Sequence, residues 1–419
     1  MSSIRMRHPD TGAAEDVRMR GFSRRHTVAA ALAWLDAQLH PLAAETVPLR
    51  RAAGRGLVDA VVSGFDVPGF DRASMDGYAV VAASIEGATA YNPIALRVVG
   101  DSMPGHPFAD SMASGEAVRV MTGAPMPRGA DAVLPAEWIE TDPNSIRALT
   151  AVSPGKNVGG RGEDIVRGTA VLEAGRVLRP QDLGVLSSIG LGEVRVWRQP
   201  RVRLVVTGNE LLPAGSPPLD FHITDANGPM LAALIERDGG VADFPGLVRD
   251  DADAILEALQ ADADIVIVTG GSSVGIEDLA PVLMAEHGEL AVHGIAMRPS
   301  SPTGLGRMGA RLVFLLPGNP VSSLCGYDFF AGRAIRALGG RSKEWPYRPV
   351  QATLARKISS PIGRLDYARV KVANGRVEPL AIAGASLLSS TTRADGFVIV
   401  GDDSEGFAAG AEITVWLYA

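Results

Sequence analysis

The stretch RVRLVVTGNE, residues 201–210, decides the fold of this chain. Its first six positions form an apolar-rich run too short for a helix. A strand of this kind is covered on both faces, as in a parallel sheet flanked by helices. The Thr-Gly pair that follows is turn chemistry, and Asn209 and Glu210 then stand at the carboxyl end of the strand, where open parallel sheets bind their ligands. Working outward, the same rhythm repeats to about residue 340. Strands are expected over 202–206, 241–247, 265–268 and 312–316, and helices near 228–237, 252–260, 278–287 and 321–338. Such alternation predicts a doubly wound parallel-sheet α/β domain.

Before this domain, Thr27 can cap a helix carrying Val28, Leu32, Leu35 and Leu39, which Pro41 stops. From about residue 49 to 164, short apolar runs broken by MPGHP, GAPMPRGA and SPGKN predict a β-rich domain with loops. Residues 168–198 read as short extended pieces around a helix that begins near Pro180. After the α/β domain, RVKVANGRVEPL (369–380) sets an Asn-Gly turn between alternating flanks, the mark of a hairpin. Strand-like runs near 397–400 and 413–417 complete a small all-β domain.

A chain of 419 residues divides into about three domains. Its formal charge of −7 gives no general attraction for nucleic acid, whose non-specific binding rests on Lys and Arg neutralising phosphates. The single cysteine, Cys325, excludes an internal disulfide and a cysteine-based metal cluster within one chain, which suits a reducing cytosol. No apolar run approaches the roughly 20 residues that cross a bilayer, and the start MSSIRMRHPDTG lacks the apolar core of a signal peptide. The expectation is a cytoplasmic protein with neither nucleic-acid nor membrane partners.

Four loops follow the four expected strands: TGNE (207–210), VRDD (248–251), TGGSSVGIED (269–278) and LPGNPVSS (316–323). The third offers Gly270, Gly271, Ser272 and Ser273 ahead of a helix start, so its backbone N–H groups either face an anion or form a plain capped turn. It lacks the lysine of a GxxxxGK[ST] nucleotide loop. Glu210, Asp250 and Asp278 together would hold Mg²⁺, which takes a few carboxylates along with substrate phosphates; singly, each reads equally as a cap or a solvated acid. In LPGNP, Pro317 and Pro320 either shape the turn and start a helix, or precede free N–H groups open to an oxyanion. No HExxH pair, GxSxG elbow or GxGxxG turn occurs. Two charged stretches without a period, FDRASMDGYAV (70–80) and GGRGED (159–164), read as solvated turns in which Asp71 and Asp76 bond nearby backbone. The residues alone lead to a β-rich domain and a nucleotide-like α/β domain with an anion site.

Taken together, these motifs resemble the molybdopterin molybdenumtransferase family, which includes the MoeA proteins and the gephyrin E-domain. FDRASMDGYAV is similar to that family's FDNSAMDGYAV, and VRVMTGAPMPRGADAVLPAE (118–137) to its MTGAPVPEGADAVV; RGEDI, TGNEL, TGGSSVGIED, LPGNPVS and GRLDYARV follow in the family's order. The resemblance spans nearly the whole chain. It implies insertion of molybdate at the dithiolene of adenylylated molybdopterin with release of AMP, assisted by Mg²⁺. It also implies a homodimer, in which residues 21–48 and 167–199 form a dimerisation arm and 49–166 the β-rich domain carrying the MDGYA motif. Residues 200–340 would be the molybdopterin-binding α/β domain and 341–419 a C-terminal β-barrel. Transient contact with the molybdopterin adenylyltransferase and with molybdoenzymes is implied too.

By the motif matches, Asp76, Thr122, Asp164, Glu210 and Asp250 would serve catalysis. Thr207, Gly270, Gly271, Ser272, Ser273, Asp278, Arg298, Gly318 and Asn319 would contact substrate, and Pro317, Pro320, Arg369 and Ser386 would line the molybdate pocket. The chain departs from the family at MRPSSP (297–302), where KPGKP is usual. Arg298 keeps one cation, but Ser301 and Gly294 stand at the other two lysine positions. Asn209 replaces the aspartate of TGDE, and Arg72 the asparagine of FDNS. An active transferase and a non-catalytic molybdopterin carrier are both compatible with these changes.

Overall fold

The computed structural model describes residues 25–217, 219–271, 278–381 and 384–418. They divide into two compact units. The first comprises the described residues up to Glu45, Gly54–Val58 and those from Arg195 onward; the second comprises Thr46–Ala53 and Asp59–Val194.

The first unit contains the sheet expected from RVRLVV. Its strands are Arg201–Thr207 (β1), Val241–Asp243 (β2), Leu247–Val248 (β3), Ile265–Thr269 (β4), Glu289–His293 (β5), Gly304–Met308 (β6) and Arg311–Leu316 (β7). Their order is β2-β1-β4-β7-β6-β5, with β3 also paired to β1. The pairs among β1, β2, β3, β4 and β7 are parallel, and β7-β6-β5 continue antiparallel. The expected strand over 241–247 is two short pieces, and β5 and β6 extend the sheet beyond the sequence reading.

Successive side chains along a strand point to opposite faces, and the cores follow that alternation. Val202, Leu204 and Val206, Ile265 and Ile267, and Leu312, Phe314 and Leu316 share one core with Leu231 and Ile235 of the helix Asn227–Arg237. Val205, Val266, Val268, Val313 and Leu315 share the other with the helices Ala252–Leu259 and Ala280–His287. The helix Val28–Asp36 starts as expected: Thr27 Oγ1 accepts from the Ala30 N–H at 3.1 Å. Its Val28, Ala31 and Leu35 belong to the first core. It ends short of Pro41, yet Leu39 is still buried. This segment therefore groups with the α/β sheet, whereas residues 167–194 fall in the second unit.

Five strands close the C-terminal barrel: Arg348–Leu354 (β8), Leu365–Ala373 (β9), Arg376–Ala381 (β10), Gly396–Val400 (β11) and Glu412–Leu417 (β12). The circuit runs β9-β10-β8-β12-β11 and back to β9, which leaves no open edge between these strands. The hairpin predicted at Asn-Gly joins β9 to β10, with Asn374 at φ 51° and Gly375 at φ 72°, as a two-residue turn of the primed type requires.

The second unit is β-rich. Its main sheet has the order Ala132–Pro135, Gly77–Val80, Glu116–Val120, Ile94–Ser102, Ser145–Ala148, Ile139–Asp142. Half of FDRASMDGYAV is therefore a strand, with Ala79 and Val80 entering cores on opposite faces. The helix Pro180–Ser188 starts at the expected proline, and Asp182 in its first turn accepts from Arg176 and Arg179. Among the described residues, no helix is long and apolar enough to cross a membrane.

Candidate functional site

Sheet register brings the strand ends together. Val206 stands level with Thr269, Thr269 with Leu316, and Thr207 with Val248, so the loops that follow leave one edge of the sheet. Thr207 is buried, and its Oγ1 donates to Asp250 Oδ1. Asp250 Oδ2 accepts from the Asn209 N–H at 3.2 Å, and the Asp250 N–H points back to Asn209 Oδ1 at 3.5 Å. An asparagine at 209 thus keeps the acceptor that an aspartate would offer, without its charge. Gly270 has φ 93°, and a Cβ there would lie 2.0 Å from the Thr207 carbonyl oxygen, so only glycine fits.

The LPGNP loop is clamped from below. Thr269 Oγ1 donates to the Pro317 carbonyl at 3.2 Å, and Asn227 Nδ2 donates to Thr269 Oγ1 at 3.0 Å and to the Gly318 carbonyl at 2.7 Å. Pro320 starts a helix, and the next N–H, of Val321, donates to the Ala385 carbonyl at 3.0 Å. That donor is committed to structure and is not open to an oxyanion.

Two cavities meet at this loop. One, of about 440 Å³, is lined by Thr207, Glu210, Asp225, Asn227, Gly270, Pro320 and Ser386; among the described residues that line it, the two acids alone are charged. Asn227 Oδ1 is buried there with no hydrogen-bond partner among the described residues. The other, of about 750 Å³, is lined by Arg25, Arg298, Arg364, Ser301, Pro317 and Ser322 among others, with no acid among the described residues that line it. Gly318 and Asn319 line both. The four residues expected around molybdate are not brought into one pocket: Pro317 faces the cationic cavity, and Pro320 and Ser386 the acidic one. Arg369 is among the lining residues of neither cavity. It is fully buried in β9, where desolvation pushes its pKa below the usual arginine range.

Gly271 sits beside Asp250, a Cβ on it being 3.6 Å from Oδ1. Asp278 lines neither cavity, and Ser272 and Ser273 lie outside the described residues. Among the described residues, no three His, Cys, Asp or Glu side chains gather as a metal cradle, so Glu210, Asp250 and Asp278 do not form one.

In the second unit, Asp76 Oδ1 accepts from the Thr122 N–H at 2.7 Å and from Thr122 Oγ1 at 2.8 Å. The backbone bond first and the hydroxyl second hold its carboxyl below the usual range. Two expected catalytic residues 46 positions apart are thereby paired. Asp164 gives its backbone N–H to the Val67 carbonyl at 3.0 Å. Arg72 forms an ion pair with Glu163 at 2.7 Å, so its charge is balanced within its own unit. Asp71 Oδ1 accepts from the Arg161 N–H at 2.8 Å, a bond that shapes the loop.

Sequence reasoning missed Asp225, Asn227, Arg364 and Asp366. The first two sit in a TDAN run that reads as an ordinary helix start, and the last two in GRLDYARV, at the head of a strand whose polar residues read as surface.

Residues 26–190 match the family model of the MoeA N-terminal region (domain I and II), 203–337 that of the probable molybdopterin binding domain, and 351–418 that of the MoeA C-terminal region (domain IV). A Mycobacterium tuberculosis protein named molybdopterin molybdenumtransferase 2 is 34% identical over 384 residues, covering 88% of this chain and 94% of its own. The molybdopterin molybdenumtransferase of Haemophilus influenzae is 31% identical over 385 residues, covering 90% and 94%. The crystal structure of the molybdopterin biosynthesis MoeA protein of Pyrococcus horikoshii superposes with a TM-score of 0.76 at 32% identity, over 94% of this chain and 100% of that one.

Proposed function

The chain belongs to the MoeA family of molybdopterin molybdenumtransferases, and from that membership we propose that it inserts molybdate into adenylylated molybdopterin and releases AMP. One observation carries the proposal: a cavity walled by carboxylates and a cavity walled by arginines abut across Gly318 and Asn319. A reaction that joins a small oxyanion to a phosphate-bearing pterin needs both environments side by side. Nothing observed favours a non-catalytic carrier.

Within the acidic cavity, Thr207, Gly270 and Ser386 would bind and orient the pterin. Asp250, held by Thr207 and Asn209, fixes the TGNE loop, and Asn227 fixes the LPGNP loop. The donor set fits Mg²⁺, which uses one or two carboxylates and keeps places for water and phosphate. Glu210 and Asp225 would hold it, beside Asn227 Oδ1, which has no hydrogen-bond partner among the described residues. Held there, it would supply positive charge toward the phosphate linkage. In the second unit, Asp76 is kept ionised by Thr122 and is proposed as a catalytic carboxylate with Asp164. The proposal extends to a homodimer working in the cytoplasm, with product passed to molybdoenzymes.

Glu210→Gln tests the role of the acidic wall. It removes the charge while keeping the shape, and should lower the rate of AMP release at saturating Mg²⁺ by about 100-fold, as loss of one well-placed charge in a site does. Pterin binding, followed by fluorescence, should persist. An unchanged rate would take the acidic cavity out of the mechanism.

A further inference from the structure

The segment that borders the acidic cavity carries an aromatic side chain that the cores do not use. Phe221 is 98% exposed, and Leu219 and Ile223, two residues to either side, are 52% and 58% exposed. Apolar residues scattered singly over a surface need no explanation, but three at alternate positions of one short segment make a patch of the kind that marks an interaction site. The segment is tied down at several points. Its strand Ile223–Thr224 pairs in parallel with Leu211–Leu212, and the Ile223 N–H donates to the Glu210 carbonyl at 3.0 Å. The His222 N–H closes a tight turn on the Leu219 carbonyl at 2.8 Å, with Asp220 at φ 42° in the left-handed position that aspartate tolerates. Thr224 Oγ1 donates to the Ser216 carbonyl at 3.2 Å. Phe221 stands at the tip of that turn.

Its place beside the cavity follows from the chain. Leu211, Ile223 and Thr224 line the acidic cavity together with Glu210 and Asp225. Two residues span at most about 7 Å, so the Phe221 backbone lies within that distance of the lining residue Ile223. In the reaction proposed above, Thr207, Gly270 and Ser386 orient the pterin, and Glu210 and Asp225 are assigned to the phosphate linkage. That linkage has two ends. With the pterin on one, the adenosine leaves from the other, past Glu210 and Ile223, whose backbones are bonded to each other. A purine gains most from a flat apolar partner, yet among the described residues that line the two cavities there is no aromatic ring. Phe221 supplies that ring at the rim.

We infer that Phe221, flanked by Leu219 and Ile223, is a stacking platform for the adenine of the adenylylated pterin, and so holds both that substrate and the AMP that leaves. The inference rests on the transferase reading of the same site and names how the site recognises the nucleotide half of its substrate. Stacking on a base remote from the bond that breaks is equally strong in the ground state and the transition state, so it lowers KM without raising kcat.

Two measurements on the full chain test it. In the first, binding of AMP and of ribose 5-phosphate, which differs by lacking the base, is titrated by calorimetry with Mg²⁺ present for wild type, Phe221→Ala and Phe221→Trp. Wild type should bind AMP about tenfold more tightly than ribose 5-phosphate, the scale of one base stacked on an aromatic ring; Phe221→Ala should lose most of that difference and Phe221→Trp should keep it. In the second, AMP release is followed while each substrate is varied. Phe221→Ala should raise the KM for adenylylated molybdopterin by about tenfold, leave the KM for molybdate within about twofold, and change kcat by less than about threefold. Equal AMP affinity for wild type and Phe221→Ala overturns the inference, and so does a wild type that binds AMP no better than ribose 5-phosphate. An equal loss of affinity for molybdopterin without its AMP would put the ring under the pterin and overturn it too. If Phe221→Ala instead alters the sedimentation coefficient and leaves AMP affinity unchanged, the patch is a contact between copies of the chain and the inference falls. A wild type that binds AMP through Phe221 but releases none from adenylylated molybdopterin leaves the platform standing and removes the transferase reading instead.

Discussion

At the scale of single residues, burial decides what a charge can do. Asp328 is fully buried, and desolvation pushes its pKa up to about 6, against the opposing pull of Arg237 and of the hydrogen bond from Tyr347 at 2.8 Å. The folded state therefore holds this proton more tightly than the unfolded chain, whose aspartates titrate near 4. Its stabilising contribution is complete below about pH 4 and is lost as pH rises through about 6. Asp328→Asn should flatten that part of the stability profile, removing on the order of 1–3 kcal/mol of the fall between pH 4 and 7 in urea denaturation. An identical slope in both proteins would show that Asp328 does not titrate in this window. Asp76 and Thr122 were legible as sequence motifs, but their mutual hydrogen bonds were not, because 46 residues separate them. Asp366 was not legible at all. A charged residue in a strand reads as surface, and only the partners Arg298, Arg364 and Ser360 make its burial possible.

At the scale of elements, the strands with unbroken apolar runs were the readable part. Arg201–Thr207, Ile265–Thr269 and Arg311–Leu316 fall where the sequence puts them, since a strand covered on both faces writes its burial directly into composition. Gly304–Met308, GLGRM, was missed because glycines at 304 and 306 remove the apolar signal; at Gly306 a Cβ would lie 2.0 Å from the Glu289 carbonyl oxygen. The loop after β4 depends on a similar close approach. Gly270→Ala would place a Cβ against the Thr207 carbonyl in a left-handed conformation, and should cost at least about 2 kcal/mol while displacing the loop from the acidic cavity. Urea denaturation with a midpoint within error of wild type would contradict this placement of Gly270. The LPGNP loop shows the limit of motif reading. Its prolines were visible, but the clamp from Thr269 and Asn227 joins segments that only the fold brings together.

At the scale of the whole molecule, the sequence divided the chain by composition, whereas the structure divides it by packing. The β-rich unit has its own cores, one around Val80, Ile85, Leu96, Leu134 and Ile146 and another around Ala79, Val118, Val120 and Val133. A fragment of residues 46–194 should therefore unfold in a single cooperative thermal transition by circular dichroism. A featureless melt would show that it has no independent core. The helix Val28–Asp36, expected in an arm, packs its apolar face into the α/β core. Its spacing revealed an apolar face but not the partner of that face, which is set by contacts far along the chain. The central claim is that this chain uses its acidic and cationic cavities to join molybdate to an activated pterin. It is tested most directly by incubating purified protein with adenylylated molybdopterin and Mg²⁺, and measuring AMP with and without molybdate. AMP that appears in step with molybdenum retained on the pterin is the predicted result; pterin that binds but yields no AMP at any molybdate concentration would contradict it.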